Sequence, residues 1–518
     1  MKLTRILSIT LLAATASMAM AQDAVDVATI SETDLRGTAR FMSMAGAFGA
    51  LGGDLSTLYQ NPGGIGVYRY SDAGATLGIN FHSNRSLTDY KDEVNKCEAT
   101  CNNAAYVGVF KLDSETCPNI NWGFSYNRAL TFKRRYVGTW DALSTSMSNY
   151  IADETTAGGW TDNDLGNSNY KGNAPWISVM AYNAYLLNVA GKDKVTFNGL
   201  MDSKTTGWGE YEVREDGGVN EFNFCFGGNV LNKVYWGISV GIDDLRYTKY
   251  SYYGEDLKEA VYQDANGQSR RGGASWGLQN GYVMRGTGWN FKAGLIFKPI
   301  NELRLGVAFH TPTYYKLSAD YDADISYEMA DAAKGVEYSP AGYGRFRMNT
   351  PWKFMVSAAG VIGQRAIISL DYQCDAYGTM RMDDEAGYAY DDVTRHVKDL
   401  YKSAHTVRVG AEVRVTNAFK VRGGYSHTTS PVNEAALDGA MGIYTSGTDL
   451  GYTLPKSTQY ITCGLGYSFG SVYLDAAYVH RKRDAQYHVF SPSSIGVGPM
   501  ADIRNTNNQI VLSLGFRF

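Results

Sequence analysis

Cysteine and histidine side chains could give this chain metal or redox chemistry, and their spacing tests that possibility. The six cysteines are Cys97, Cys101, Cys117, Cys225, Cys374 and Cys463. A metal site built from Cys97, Cys101 and Cys117 would lack the second close pair that zinc sites usually have. An exported protein can form disulfides, and only Cys97 and Cys101, both in one predicted loop, are placed to pair locally. Cys225 and Cys463 stand in alternating segments and are interpreted as small apolar fillers.

The histidines do not form a catalytic or metal-binding motif. They are dispersed along the chain as His82, His310, His396, His405, His427, His480 and His488. Several would lie at the outer rim of the architecture predicted below, so haem capture stays open as a function. No Gly-x-Ser-x-Gly segment stands out as a nucleophile elbow, His-Glu-x-x-His is missing, and no carboxylate pair can be singled out among 52 acidic residues. We predict a protein that is not an enzyme and that uses no cofactor or metal.

The carboxy-terminal segment 508–518 has the pattern of a β-strand. Ile510, Leu512, Leu514, Phe516 and Phe518 would share one face, because strand side chains alternate between faces. A soluble β-sandwich would show the same alternation. An outer-membrane barrel, however, must join its last strand to its first so that no edge is unpaired in lipid. We expect this segment to pair with the first strand, near 71–82, and its aromatic end resembles the signal that barrel-assembly machinery recognises during insertion.

The composition combines many aromatic residues with low hydropathy. The chain has 57 Gly, 38 Tyr, 20 Phe and 9 Trp, with 19% charged residues and a mean hydropathy of -0.28. After the amino-terminus, no apolar run approaches the roughly 18 residues that a membrane-spanning helix needs. Barrel strands hide their apolar residues by alternation, so this composition favours a transmembrane β-barrel.

Residues 1–21 have the three parts of a signal peptide. Lys2 and Arg5 form the basic start, residues 6–14 are apolar, and Ala19-Met20-Ala21 is the cleavage site. The mature chain would begin at Gln22, where no cysteine is present to carry a lipid anchor. Cleavage removes two of 48 basic residues and leaves 46 against 52 acidic, a formal charge of -6. Nothing in this balance indicates nucleic acid binding.

From Ser71 onward, strand-like runs are joined by connections that alternate between short and long. The short turns fall near 114–119, 231–233, 299–301, 363–364, 417–418 and 470–471. The long segments are 83–104, 131–220, 249–285, 317–349, 379–403, 429–456 and 485–503. This alternation implies about fourteen strands of about ten residues, an even number as in bacterial barrels. We therefore predict an all-β fold, a transmembrane antiparallel β-barrel over 71–518. Its short turns and both termini would lie in the periplasm, and its long extracellular loops would contain some helix.

Alternation also assigns a lipid face and a lumen face to the strands. The more apolar sets are Trp289, Phe291, Leu295 and Phe297; Leu303, Leu305, Val307 and Phe309; Val407, Val409, Val413 and Val415; and Ile461, Leu465, Tyr467 and Phe469. The lumen set is Lys292, Lys298, Arg304, His310, Asp371, Arg408, Glu412, Arg414, Lys420, Arg422 and Asp475. A charge on the lipid face costs about 2–4 kcal/mol at the midplane, which forces this assignment near strand centres. The candidate basic residues Lys292, Arg304, Arg408, Arg414 and Arg422 could guide an anionic head group or could brace a plug against the wall.

Residues 22–70 are not strand-like and are predicted to form a compact hatch, or plug, in the lumen. They are dense in small residues, which let backbone pack against backbone, and they contain Asn61-Pro62-Gly63-Gly64. A solvated glycine-rich linker would not contain apolar residues such as Phe41, Met44 and Phe48. No Gly-Lys-Ser/Thr follows the glycines, so they do not form a phosphate loop.

The longest predicted loop, 131–220, contains a helical stretch at 175–188. Trp176, Ile177, Met180 and Leu187 share one face of that helix with Ala184. On a cell-surface loop this face must cover something apolar. Two interpretations stay open: a lid packed on other loops, or an extracellular access groove for a hydrophobic ligand.

Several segments, taken in order from Leu35 to Phe518, resemble the FadL/TodX family of outer-membrane transporters for long-chain fatty acids and hydrocarbons, especially the forms in Bacteroidetes-like bacteria. The stretch from Met44-Ala45-Gly46-Ala47-Phe48 to Asn61-Pro62 is similar to the amino-terminal hatch of the family, with Gly63 replacing the alanine of its Asn-Pro-Ala motif. The other similar segments are Gly288-Trp289-Asn290-Phe291, Leu303-Arg304-Leu305-Gly306, Thr350-Pro351-Trp352, Val407-Arg408-Val409-Gly410-Ala411-Glu412 and Arg422-Gly423-Gly424-Tyr425.

This resemblance implies a fourteen-stranded barrel in the outer membrane, plugged by a hatch that carries Asn61, Pro62 and Gly63. It implies passive uptake of hydrophobic or amphiphilic molecules, such as long-chain fatty acids, and their lateral escape through a wall gap beside a kinked strand. The basic excess of the lumen favours a carboxylate-bearing amphiphile. Some relatives serve secretion or barrel-assembly complexes, so an interaction subunit with partner outer-membrane proteins is the alternative function, and a haem receptor is a further one.

Overall fold

Fourteen wall strands form a closed antiparallel barrel, as the alternation predicted. The computed structural model describes residues 23–89, 91–166, 170–191, 195–264, 266–330, 333–363, 365–445 and 447–518. The predicted signal peptide, 1–21, and Gln22 lie outside the described residues.

The strands follow one another around the wall in chain order. Their bounds are β1 (Asp72–Leu87), β2 (Lys91–Lys111), β3 (Asn119–Thr131), β4 (Arg134–Trp140), β5 (Asn188–Val189), β6 (Phe197–Asn198), β7 (Thr206–Val230), β8 (Val234–Gln263), β9 (Ser269–Ile300), β10 (Leu303–His310), β11 (Tyr314–Met329), β12 (Ala333–Tyr338), β13 (Gly342–Asn349), β14 (Trp352–Ile362), β15 (Ala366–Ala376), β16 (Arg381–Asp384), β17 (Ala404–Arg414), β18 (Phe419–Thr428), β19 (Tyr452–Phe469), β20 (Val472–His488) and β21 (Met500–Arg517). Four wall strands are interrupted: β3 with β4, β10 with β11, β12 with β13 and β14, and β15 with β16. β5 and β6 form a separate short ladder.

The carboxy-terminal strand closes the barrel. β21 pairs antiparallel with β1 from Asp72↔Arg517 to Leu87↔Asp502 with no shift in register. Two backbone hydrogen bonds of 3.0 Å between Ser71 and Phe518 extend this pairing to the chain end. Because β1 also pairs with β2 and β21 with β20, both end strands have a neighbour on each side. The closing strand predicted from 508–518 is thus confirmed, and the barrel has no open seam there.

The outer face of the wall is an apolar belt. Side chains predicted to face lipid, such as Trp289, Leu305 and Leu465, are exposed, whereas Lys292 and Arg422 on the opposite face are buried. A surface with this much exposed aromatic and aliphatic area would be unstable in water, and lipid is the solvent that it fits.

The two ends of the barrel differ in the length of their connections. Short turns join β7 to β8 at 231–233, β17 to β18 at 415–418 and β19 to β20 at 470–471. At the other end, the segments predicted as long loops are largely β structure, which corrects that prediction for 249–285 and 317–349. β8 and β9 contain 30 and 32 residues and pair almost throughout, far more than the roughly ten residues that cross a membrane. The outer half of each of these strands has polar side chains on one face. In the sequence this composition resembles that of a loop, although the alternation of side chains with a period of two continues.

The predicted loop position of Cys97 and Cys101, which left a local disulfide open, is also corrected. Cys97 and Cys101 do not lie in a loop but on β2, where they face Phe81 and Leu77 of β1. Four residues of strand separate their Cα atoms by about 13 Å, beyond the reach of a disulfide. Both thiols are free and exposed on the outer face.

Helices occur inside the barrel and at its long-loop end. They are α1 (Ala24–Ser31), α2 (Ala39–Ser43), α3 (Thr57–Gln60), α4 (Met147–Ala157), α5 (Asp162–Leu165), α6 (Trp176–Asn183), α7 (Asp391–Leu400) and α8 (Glu434–Leu437). The carboxylate of Asp23 begins α1 by accepting from the backbone N–H groups of Val25 and Asp26, at 2.8 and 2.9 Å. Within the described part of the chain, no helix is long and apolar enough to cross a membrane.

Candidate functional site

Residues 23–70 fill the lumen and run from its long-loop half to its short-turn half. We call residues 23–36 the outer strap and residues 37–70 the hatch base. Asp23 borders a small cavity together with Lys249 and Asp449, at the long-loop end. Asp23, the first described residue, therefore lies at the long-loop end of the lumen. The mature amino-terminus is predicted to lie in the periplasm, at the other end of the barrel, but its residue Gln22 lies outside the described chain.

The hatch base packs backbone against backbone on the wall. A 3₁₀ turn over Pro62–Val67 follows Asn61, whose side chain accepts from the Gly63 N–H at 3.0 Å and donates to the Gly49 carbonyl at 2.5 Å. A Cβ at Gly63 would stand 2.9–3.0 Å from backbone atoms of Gly294 and Leu295. On the wall, a Cβ at Gly237 would overlap the Pro62 carbonyl. The motif Asn61, Pro62 and Gly63 thus lies where glycine is needed on both sides of the contact.

An ion cluster ties the hatch base to the wall near the short turns. Arg40 of α2 contacts Glu412 at 3.0 Å, and Glu412 also binds Arg422 at 2.6 Å. Arg422 reaches Asp475 at 2.6 Å, and all but Arg40 are nearly fully buried. Burial opposes the charge of Arg40, but Glu412 raises the pKa of its guanidinium above the ordinary value. The cluster braces the plug, because its basic and acidic groups satisfy one another.

The outer strap is held by a second cluster of charges, the clasp, made of Glu32, Asp34, Arg134, Arg481 and Arg483. Glu32 binds Arg134 at 2.9 Å and Arg483 at 2.5 Å. Asp34 binds Arg481 at 2.6 Å and Arg483 at 3.0 Å. Three wall arginines on β4 and β20 therefore bind the two carboxylates of the outer strap through their side chains.

The environment of Asp34 strongly favours its ionised form. Burial by itself raises the pKa of a carboxyl group, but the arginines at positions 481, 483 and 36 outweigh it and hold the pKa of Asp34 well below its ordinary value. Arg36 donates to the side chains of Asn80, Asn102 and Gln509, each at 3.3 Å, which ties the end of the outer strap to three wall strands.

Helix α1 occupies the apolar outer part of the lumen. Val27 and Ala28 are fully buried in a cluster that includes Phe132, Tyr247 and Tyr282 of the wall. The same cluster includes Val397 and Leu400 of α7, a helix of the long-loop end. The chain thus places its own apolar side chains where an apolar ligand would otherwise be stabilised.

A cavity of about 190 Å³ lies between the outer strap, the hatch base and the wall. Its lining mixes apolar groups such as Ile30 and Phe41 with charged and polar ones. Arg408 donates to Gln373 at 2.9 Å through Nη2, while its Nη1 is buried with no partner among the described residues. Lys353 also faces the cavity and forms no ion pair in the described chain.

The acidic side of the same cavity is a hydrogen-bonded network. Tyr315 donates to Asp243 at 2.8 Å, and Asn290 donates to Thr313 at 3.1 Å. Lys292 binds Glu221, so its charge is already paired. The second carboxylate oxygen of Asp243 is buried without a partner in the described residues. The cavity can therefore both donate and accept hydrogen bonds.

The wall beside this cavity has a stretch where two neighbouring strands are not paired, which we call the gap. The pairing of β2 with β3 ends at Asn103↔Asn127, although both strands continue. Beyond that point β3 shifts register against β7 between Arg128 and Leu130, and β4 then continues on β7. Asn127 and Leu130 also line the cavity. One ion pair, Lys133 to Glu98 at 2.5 Å, bridges the two sides of the gap.

The five candidate basic residues of the lumen divide into three groups. Lys292 and Arg408 line the cavity. Arg304 and Arg422 act as braces, and Arg304 donates to the Leu51 carbonyl at 2.5 Å. Arg414 lies away from the cavity, near the short turns, where it borders a third pocket. The alternation predicted their side of the wall, but only the structure separates the cavity residues from the braces.

The predicted access residues are inside the loop cap rather than on an open groove. Met180 is fully buried, Ile177 and Leu187 are nearly so, and Trp176 is partly buried. Trp176 packs on Tyr170 and Tyr321, at centroid distances of 6.3 and 5.9 Å. This arrangement matches a lid packed on neighbouring loops, the first of the two interpretations.

Sequence reasoning missed the clasp. Its acidic pair lies at 32–34 and its basic pair at 481–483, about 450 residues apart in the chain. Arg481 and Arg483 alternate with outward residues of β20, which is a usable signal of lumen orientation for the basic pair. No local feature could have shown that the two pairs meet.

The possible catalytic and metal-binding motifs do not assemble. Among the described residues, no three His, Cys, Asp or Glu side chains are grouped to hold a metal. The letters Gly466-Tyr467-Ser468-Phe469-Gly470 fit Gly-x-Ser-x-Gly, but they end β19 at a hairpin turn instead of joining a strand to a helix.

Solved structures share this architecture. A FadL homologue of Pseudomonas aeruginosa aligns over 94% of this chain and 100% of its own, with 12% identity and a TM-score of 0.56. A deltaS2 mutant of the TodX monoaromatic hydrocarbon channel aligns over 94% and 100%, with 14% identity and a TM-score of 0.50. No family model and no curated protein matches the sequence. At this level of identity, the likeness shows a common barrel fold.

Proposed function

We propose that the chain is a FadL/TodX-type channel of the bacterial outer membrane that takes up hydrophobic or amphiphilic small molecules passively. The observation that carries this proposal is the lumen cavity that abuts the gap between β2 and β3. A cavity beside an unpaired stretch of the wall would give a ligand a route to lipid without passage through the tightly packed hatch base. The fold shared with a FadL homologue and with a hydrocarbon channel supports the same function. The signal peptide and the lipid-compatible belt support the outer membrane as its location.

The proposed path begins under the loop cap that contains Trp176, Ile177, Met180 and Leu187. A ligand passes the cap, displaces α1 from the apolar outer lumen, and reaches the cavity. It then leaves sideways when the ion pair between Lys133 and Glu98 opens. No covalent step is involved, and the hatch motif at Asn61, Pro62 and Gly63 stays in place.

We further propose that the ligand is an amphiphile with a carboxylate, such as a long-chain fatty acid. Arg408 and Lys353 face the cavity and form no ion pair in the described chain, although Asp371 and Asp375 of β15 stand opposite them, and a ligand carboxylate would supply a partner. A planar guanidinium with a free N–H matches a carboxylate well. The apolar lining contributed by Ile30 and Phe41 would contact the first part of the acyl chain.

Uptake of matched ligands tests this head-group site. The double variant Arg408→Gln/Lys353→Gln should take up a radiolabelled fatty acid about tenfold more slowly than wild type and the corresponding fatty alcohol at an unchanged rate. Arg414→Gln is the matched control, since Arg414 is basic but lies outside the cavity. Equal uptake of acid and alcohol by the wild type would refute the carboxylate preference while leaving the channel proposal intact.

Extraction of bound molecules tests the channel itself. Mass spectrometry of lipids extracted from the purified, detergent-exchanged protein should find an amphiphile in stoichiometric amount. A strain that carries the gene should take up that amphiphile faster than a strain that lacks it. The absence of any lipid-like ligand together with unchanged uptake would overturn the proposal.

A second candidate function is an interaction subunit of an outer-membrane complex. It is favoured by the closed, packed loop cap and by the length of β8 and β9, which project well beyond the membrane. Stable co-purification of partner outer-membrane proteins, combined with no uptake, would select this function over transport.

A further inference from the structure

A band of basic side chains lies on the outer face of the wall, immediately beyond the apolar belt. We call it the basic wall, and it consists of Arg246 on β8, Arg285 on β9, Lys316 on β11, and Arg345 and Arg347 on β13. The aromatic edge of the belt is marked by Trp289 and Tyr314, whose rings lie 4.9 Å apart between centroids. Arg285 follows four residues beyond Trp289 on β9, and Lys316 two residues beyond Tyr314 on β11, on the same face. The basic wall therefore stands at the height where lipid head groups meet the barrel.

Like charges face each other across strands in this band. Arg246 is directly opposite Arg285 in the β8–β9 register, and Lys316 is directly opposite Arg347 in the β11–β13 register. Opposed side chains on one face of a sheet have Cβ atoms about 4.5–5.5 Å apart, so like charges there are destabilising. Two such pairs side by side indicate that an anion compensates them.

The neighbouring acidic residues do not form ion pairs with every residue of the basic wall. Arg285 pairs with Asp320 at 3.1 Å, and Arg345 pairs with Glu385 at 3.2 Å. Asp383 stands opposite Arg347 but binds Arg381 at 2.5 Å, and Asp244 is exposed two residues before Arg246. Asp216 on β7 and Asp322 on β11 are also exposed on this face, but in the described chain neither forms an ion pair with the basic wall. Among the described residues, Arg246, Lys316 and Arg347 form no ion pair.

On the opposite side of the barrel, basic residues in the same cross-strand arrangement are paired with acidic residues. Arg85 on β1 faces Arg504 on β21 directly, again four residues beyond an aromatic belt residue, Phe81. There, however, Arg85 binds Glu93 at 2.9 Å and Arg504 binds Asp484 at 3.1 Å. Lys456 is likewise paired, with Asp502 at 2.6 Å. The same cross-strand arrangement is thus neutralised by the protein on one side and left unpaired on the other.

We propose that the basic wall binds the phosphate groups of a phosphorylated lipid of the outer leaflet. Guanidinium and ammonium groups are the side chains that recognise phosphate, and a lipid phosphate is the anion present at this height. Two opposed pairs on adjoining strand pairs offer a patch rather than a point, which suits a head group that carries more than one anionic oxygen. The proposal rests on the proposed outer-membrane location, with the long-loop end outward.

Lipid binding by the purified full-length barrel tests the proposal. The triple variant Arg246→Gln/Lys316→Gln/Arg347→Gln removes the three unpaired charges, and Arg85→Gln/Lys456→Gln/Arg504→Gln removes three paired ones at similar positions. Both are titrated with phosphorylated lipid A in non-ionic detergent and followed by native mass spectrometry. The first variant should bind lipid A at least tenfold more weakly than wild type, and the second within twofold. Equal affinities for the two variants would overturn the proposal.

The wild-type protein gives an independent test that requires no variant. It should bind phosphorylated lipid A at least tenfold more tightly than the dephosphorylated form, and 10 mM inorganic phosphate alone should not displace the lipid. Equal binding of both lipid forms, or full displacement by inorganic phosphate, would contradict a phosphate-directed lipid site. The heat-dependent mobility shift of folded barrels on gels verifies folding. Because uptake is not measured, failure of transport and failure of this site are separate results.

Discussion

The two halves of the lumen plug are held in opposite ways. The hatch base has the Arg40–Glu412 ion pair but also touches the wall backbone against backbone, with Gly63 at Gly294 and Pro62 at Gly237, where no side chain can yield. The outer strap touches the wall through the ends of long charged side chains, chiefly those of Asp34 and Arg483. Backbone contacts cannot shift without steric overlap, whereas ion pairs can separate and re-form. The difference indicates that the hatch base is structural and that the outer strap is the part able to move.

The surroundings of the hatch base and of the outer strap also indicate that the outer strap is the part able to move. The hatch base ends in a cluster where Arg40, Glu412, Arg422 and Asp475 satisfy one another. The outer strap supplies residues 30–36 to the lining of the cavity, which the hatch base also borders, and Nε of Arg36 and Oε1 of Gln60 are buried without a partner in the described residues. Buried groups without partners favour a site that changes its contacts, because a ligand or water must satisfy them.

The largest effect is expected from removing both carboxylates of the clasp. Glu32→Gln/Asp34→Asn leaves Arg481 and Arg483 buried without counter-charges, while Arg134 keeps Glu215 at 3.3 Å, and breaking a buried pair costs about 3–5 kcal/mol. The outer strap should detach while the barrel stays folded. A spin label at Thr29 should become mobile, and uptake of hydrophobic ligand should rise severalfold. A label that stays immobile would show that α1 packing alone holds the outer strap.

A smaller effect, on the contact between the hatch base and the wall, is expected from Gly237→Ala. The added Cβ would overlap the Pro62 carbonyl, and such overpacking typically costs about 1–3 kcal/mol. The barrel should unfold at lower urea concentration, while the spin label at Thr29 keeps wild-type mobility. Gly360→Ala is the control, because its nearest heavy atom is 4.0 Å away. Equal destabilisation by both substitutions would contradict the backbone-contact interpretation.

Acidification should loosen the outer strap. The arginines hold the pKa of Asp34 below its ordinary value of 3.8, so its contribution is complete above about pH 4 and is lost as the pH falls toward the lowered pKa. Burial and the neighbouring Asp23 raise the pKa of Asp26, which acts in the opposite direction, so the measurement uses an Asp26→Asn background. Label mobility should be constant from pH 5 to 8 and should increase at pH 3. In an added Asp34→Asn variant this increase should disappear, and its persistence would rule out Asp34 as the cause.

The smallest energetic effect is expected at the wall gap. Glu98→Gln removes the partner of Lys133, and a partly exposed ion pair contributes about 0.2–1 kcal/mol. Global stability should therefore hardly change. Release of ligand should nevertheless be faster, as measured by stopped-flow transfer of a fluorescent fatty acid to lipid vesicles. The paired surface residue Glu93 offers a control in Glu93→Gln, and identical release rates in both variants would remove the gap from the proposed path.

The barrel could be predicted because each strand carries its own information. The period of two in segments such as 303–309 and 407–415 follows from lipid on one side and a packed lumen on the other, and it can be seen without any knowledge of neighbours. The prediction of long loops was wrong where strands with this period of two extend outside the membrane. In the outer halves of β8 and β9 the exposed face is polar, so strand and loop have similar compositions. Cys97 and Cys101 were placed in a loop for the same reason.

The sequence by itself determined the barrel class, the strand number, the closing strand, the face of the charged residues in the predicted strands, and the glycine-rich plug. These features depend on residue type and local period, which are properties of short segments. Only the tertiary structure decided that Arg422 is a brace while Arg408 borders a cavity, that α1 fills the outer lumen, and that Glu32 and Asp34 meet Arg481 and Arg483. Those outcomes depend on which residues meet across the barrel, and closure brings together positions about 450 residues apart that no local pattern connects.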